Sequence, residues 1–129
     1  MIICDSDTLI DYLNTTSPRH SATAKVIEKE IGTDHVLVSV ISKMEILAGA
    51  SNKKQQNDIA RYLNGFATAL INDKVAATAF SLFLKYHLSH KLMIPDAIIA
   101  ATAIEADVPL FTYNQKDFKF ISGLKLFKP

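Results

Sequence analysis

Short apolar runs at residues 2–5, 36–38 and 108–112 alternate with longer stretches whose apolar side chains recur every three or four positions. Runs this short and this apolar suit strands buried on both faces. Strands separated by helices lie side by side through crossovers, so the alternation predicts an α/β fold with a mostly parallel sheet and helices on both faces. Leu9, Ile10 and Leu13 place a first helix over residues 8–13, and a turn through Pro18 leads to a mixed helix over 22–30 that Gly32 ends. Ser39 is placed to cap a helix running from Val40 to about Gly49, and residues 50–54 read as a polar loop. Ile59, Tyr62 and Leu63 mark another helix, closed by Gly65, before a third strand over 66–71. Asp73 opens a helix with the stripe Val75, Ala79, Leu82, Phe83 and Tyr86, followed by a polar connection over 87–91. Pro95 suits a first helical turn. Residues 97–106 are apolar on nearly every side, which predicts a buried helix, and residues 124–127 are expected to add an edge strand.

Composition narrows the setting. A chain of 129 residues suits one domain over residues 1–129, and 49% hydrophobic with 21% charged residues places it among globular proteins. Cys4 is the sole cysteine, which excludes an internal disulfide and a cysteine-built zinc site. With a strand starting at residue 2, no signal peptide is expected, and no apolar run approaches the roughly 20 residues of a membrane span. The expectation is a soluble, cytoplasmic protein with no membrane partner. A net charge of +1 means that any polyanion must be held locally.

The first strand ends on Asp5 and Asp7, at the carboxyl edge where open α/β sheets bind ligands. Glu45 lies in the helix after the second strand, Asp96 begins the buried helix, and Asn114 and Asp117 follow the last main strand. Each acid also has a local reading. Asp5 or Asp7 could cap the first helix, Ser42 and Glu45 have capping-box spacing, Asp96 would suit a first turn, and Asp117 could cap a short turn. Gathered at one rim, these carboxylates would repel one another unless protons or metal ions neutralised them. Hard oxygen donors favour Mg²⁺ or Mn²⁺, whose use would be water activation and phosphoryl-transfer chemistry.

Other signals are weaker. His87 and His90 have the spacing of neighbouring ligands on a helix but no third ligand. Lys43, Lys53, Lys54, Lys74 and Lys91 could flank an RNA groove but read as solvated surface. Tyr12, Met44, Phe66, Phe80, Phe83 and Phe111 fall in apolar patterns and are expected in the core.

In order and position, DSDTLIDYL, VSVISKMEILAGA and IPDAIIAATAIEADVPLFTYNQKDF resemble the PIN domain, and within it the VapC-type toxins of toxin–antitoxin pairs. The resemblance implies a PIN-like three-layer sandwich, a metal-dependent endoribonuclease that cuts RNA, a homodimer and a small antitoxin partner. Carried onto matching positions, it implies that Asp5, Glu45 and Asp96 bind metal, that the fourth position falls on Asn114 or Asp117, and that Thr112 supplies a hydroxyl nearby. Asp7 stands where Asn is frequent, and Asn114 where many members carry an acid. The competing readings are a housekeeping PIN nuclease, a PIN scaffold without catalysis, a phospho-acceptor receiver, and a haloacid-dehalogenase-like phosphatase. The phosphatase would want Thr where Leu9 stands.

Overall fold

The structure is a computed structural model describing residues 1–129. Four parallel strands, β1 (Ile2–Cys4), β2 (Val36–Ser39), β3 (Ala67–Ala69) and β4 (Leu110–Phe111), form one sheet in the order β3-β2-β1-β4. Between them run α1 (Ser6–Leu13), α2 (His20–Ala24), α3 (Val40–Ala48), α4 (Lys53–Leu63), α5 (Asp73–His90) and α6 (Ile94–Ala106).

Strand alternation divides the core in two. Ile2, Cys4, Val36, Val38 and Phe111 point to one face, where Leu9, Ile27, Ile46 and Leu63 cover them. Ile3 and Leu110 point to the other, under Val75, Ala79, Leu82 and Tyr86 of α5 and Ala97, Ala100 and Ala101 of α6. This produces the expected three layers. The sheet grows from β1 through β2 to β3, then returns to the far side of β1, so the right-handed crossover rule sends the α5–α6 connection to the opposite face. The switch point therefore lies between β1 and β4. This order also differs from the 2-1-3-4-5 arrangement of receiver-type sheets.

Several boundaries depart from expectation for local reasons. The first helix begins at Ser6, because Asp5 holds the cap position. The helix expected over 22–30 starts at His20 and widens into a π-helical stretch, Lys25–Ile31, whose wider turn brings Val26, Ile27 and Ile31 onto one face. Asn52 caps α4 by accepting from Gln55 N at 2.8 Å, which shortens the expected loop. β3 is confined to Ala67–Ala69 at the sheet edge, leaving Leu70 and Ile71 exposed. β4 is shorter than expected because Pro109 has no N–H to give and Thr112 turns away toward the rim. Residues 87–90 are the last turn of α5, which Lys91 ends in the left-handed conformation at φ 60°. The expected C-terminal edge strand is a single bridge, Leu126 beside Leu110.

Burial confirms Phe66 and Phe111 as core, with Tyr12 and Phe83 half-buried at its margins. Met44 and Phe80 are exposed, contrary to expectation, because the faces of α3 and α5 that carry them have nothing packed over them. The two histidines serve packing: His87 stacks on Phe83 at 4.3 Å and His90 on Phe120 at 4.4 Å. Lys43 is also committed, its Nζ donating to Phe66 O at 3.0 Å and Thr68 Oγ1 at 2.7 Å, tying α3 to β3.

Candidate active site

Asp5 is where β1 becomes α1. Its N–H donates to Phe111 O at 3.0 Å, completing the β1–β4 edge, and its extended backbone makes it the N-cap of α1. One carboxylate oxygen accepts from Ser6 N at 2.8 Å, while Oδ2 accepts from Thr112 Oγ1 at 2.8 Å across the switch point. The local and functional readings thus coexist in one buried side chain. Asp7 lies inside the first turn instead of capping it. Its Oδ2 accepts from Tyr113 N at 2.9 Å, and its Oδ1 is 3.5 Å from the Thr112 hydroxyl, a marginal contact beside the bond to Asp5. Thr112 accepts in turn from Asn114 N at 3.1 Å.

Glu45 comes from α3. Ser39 is that helix's N-cap, accepting from Ile41 N at 3.3 Å, so Ser42 and Glu45 do not form a capping box. Glu45 is exposed at the rim, and its Oε1 accepts from Ser6 Oγ at 3.0 Å. Asp96, half-buried in the first turn of α6, faces the same rim. Asp117 ends the short 3₁₀ turn Gln115–Asp117 after β4.

Electrostatics record the convergence. Asp5 is held above the ordinary carboxylate range by burial, against the lowering effect of its bonds to Thr112 and Ser6, with the charges of Glu45 and Asp117 adding to the rise. Asp7 is pushed up to about 6 by burial and by Asp5. Asp96 rises to about 7 through burial and then through Asp5, Asp117, Glu45 and Asp7 together. None of the five acids takes part in the ion pairs, which involve Asp11, Asp58 and Asp107. Asp117, unlike Asn114, therefore contributes charge to the cluster. Its carboxylate accepts no hydrogen bond, so it caps no turn.

The donor set fits a hard dication: it is built of carboxylate oxygens with hydroxyls beside them, and it lacks both thiolate and imidazole. The side chains do not form a closed ligand shell, since no three acidic, histidine or cysteine groups converge tightly enough as they stand. The structure places Asp5, Asp7, Glu45, Asp96, Thr112, Asn114 and Asp117 at the rim where the sequence led one to expect them, and adds Ser6 and the Tyr113 N–H. Ser6 was legible only as the residue between two acids. The Tyr113 N–H depends on a contact 106 positions away.

A stability prediction follows from these shifts. Folded carboxyls with raised pKa values keep protons that the unfolded chain releases, so the metal-free protein loses stability as pH climbs from about 4 toward about 7. Melting temperature followed across that range in EDTA is expected to fall, and saturating Mn²⁺ at pH 7 is expected to raise it again.

An open parallel sheet with carboxylates gathered at its switch point defines an α/β protein with an acidic site at the carboxyl edge of its strands. The family model of the PIN domain matches residues 2–124. Ribonuclease VapC10 of Mycobacterium tuberculosis is 30% identical over 127 residues, covering 97% of this chain and 91% of that one. Ribonuclease VapC1 of Methanocaldococcus jannaschii is 28% identical over 130 residues, covering 98% and 86%. A toxin–antitoxin complex from Klebsiella pneumoniae contains a similar chain, with TM-score 0.75 and 30% identity over 96% of this chain and 95% of that one. The chain belongs to the PIN domain family.

Proposed function

We propose that this chain is the toxin ribonuclease of a toxin–antitoxin pair and that it cuts RNA phosphodiester bonds with Mg²⁺ or Mn²⁺. The observation that carries this reading is the meeting of Asp5, Asp7, Glu45, Asp96 and Asp117 at one rim with no ion-pair partner. The PIN match and the ribonuclease relatives support it. Asp5, Glu45, Asp96 and Asp117 would hold the ion. When bound, a dication makes water nucleophilic near neutral pH and offsets charge building on the phosphate. Thr112 and Ser6 orient the ligands by donating to Asp5 and Glu45, and Tyr113 N–H fixes Asp7. Incubating the purified chain with cellular RNA and Mn²⁺ tests the reading: new 5′ ends at defined positions support it, and intact RNA would refute it.

The antitoxin reading rests on the similar chain of the Klebsiella complex. A basic side chain presented by such a partner would pair with the carboxylates and compete with metal. A homodimer is supported by the apolar face of α5 and α6, where Phe80, Leu84, Leu88, Met93 and Ile94 are exposed beside a 300 Å³ apolar groove. Sedimentation of the purified chain checks this.

For the fourth ligand, Asp117 supplies a full charge and Asn114 a neutral carbonyl. Asp117→Asn is expected to raise the Mn²⁺ concentration for half-maximal cleavage about tenfold, and Asn114→Asp to lower it. Metal titrations decide this, and an unchanged half-saturation in Asp117→Asn would make that residue structural.

A further inference from the structure

Beside the acidic rim lies an open groove of about 510 Å³ that shares Asp7 and Asn114 with it. Its far wall is Asp11 of α1 with Ser17 and Arg19 of the loop between α1 and α2, and Arg19 is the one cation among the groove's lining residues. The loop is tightly bonded. Ser17 Oγ donates to Asp11 Oδ1 at 2.7 Å, Ser17 N to Asn14 O at 3.0 Å, and Arg19 N to Ser17 Oγ at 3.3 Å. The Arg19 guanidinium sits over the Tyr113 ring, 4.4 Å from its centroid, and its remaining partner is Asp11 at a loose 3.6 Å. Tyr113 is anchored twice, its hydroxyl to Thr23 Oγ1 at 2.6 Å and its N–H to Asp7. One ring therefore holds the guanidinium beside the rim carboxylates, while the Arg19 side chain remains 55% exposed.

An acid-rimmed site repels the polyanion it must bind, so a cation held beside the rim serves binding without entering the chemistry. We propose that Arg19 is a substrate-positioning residue whose guanidinium, stacked on Tyr113, holds a phosphate of single-stranded RNA next to the scissile bond. The assignment rests on the ribonuclease reading. A guanidinium, unlike an ammonium, can both stack on the ring and fork onto phosphate oxygens, so Arg19→Lys retains only part of the effect.

The test is steady-state cleavage of a short RNA oligonucleotide spanning a mapped cut site. Arg19→Ala is expected to raise KM about tenfold with kcat within about twofold, with Arg19→Lys between the two. Losing one phosphate contact is expected to make log(1/KM) against log salt shallower by about 0.7. An uncharged methylphosphonate walked along the oligonucleotide is expected to raise the wild-type KM at one linkage and to have no further effect there in Arg19→Ala. Melting temperature and Mn²⁺ affinity measured without RNA are expected to match wild type. If wild type cleaves and Arg19→Ala has wild-type KM and salt slope, or loses kcat alone, this proposal is overturned. If wild type cleaves no RNA, the ribonuclease reading fails and this proposal with it.

Discussion

Asp5→Asn is expected to slow RNA cleavage on the order of a thousandfold while leaving the protein folded. The side chain is 6% exposed and bridges Ser6 N and Thr112 Oγ1, and an amide of the same shape can still accept from Ser6 N through its carbonyl oxygen while its NH2 donates to the Thr112 hydroxyl oxygen. The change removes one negative charge from a cluster that burial and mutual repulsion already strain, so the metal-free variant is expected to melt no lower than wild type at pH 7. Loss of rate with retained melting temperature separates a ligand from a structural cap. Cleavage at the wild-type rate under saturating Mn²⁺ would remove Asp5 from the reaction.

The second large effect concerns the platform beneath the site. Phe111 is fully buried, in edge contact with Tyr113 at 5.3 Å and Phe127 at 5.4 Å, and its carbonyl receives the Asp5 N–H. Truncation to alanine leaves a cavity that these neighbours cannot close, at a cost of about 3–5 kcal/mol from a total stability of about 5–15 kcal/mol. For a chain of this size that corresponds to a melting point lower by roughly 10–20 °C. Phe111→Leu keeps most of the volume and is expected to cost less than half as much. Denaturant unfolding measures both, and a loss under about 1 kcal/mol for the alanine variant would contradict the packing described.

What was legible in the sequence was whatever short-range pattern governs. Strand alternation in residues 2–5 and 36–38 and the all-round apolar helix over 97–106 reached the right layers, because burial on two faces leaves few other compositions. Asp5, Asp7 and Asp96 were legible because they follow a strand end or start a helix. Their bonding was not. Thr112 reaches Asp5 across 107 positions, and only the β1–β4 register decides which hydroxyl meets which carboxylate. Met44 and Phe80 fit an apolar pattern yet are exposed, since periodicity records a helix face without recording what covers it. Arg19 carried no motif at all, and its place above Tyr113 depends on the loop bonds of Ser17 and Asp11.

If the gathered carboxylates hold a dication for RNA cleavage, metal binding and cleavage share one dependence on metal concentration. This is tested most directly by stripping the purified chain with chelator and measuring cleavage and Mn²⁺ binding in one titration. No cleavage is expected without metal, and the rate is expected to rise with the same half-saturation as binding, both shifted to higher Mn²⁺ in Asp96→Asn. Full-rate cleavage in excess EDTA would contradict this.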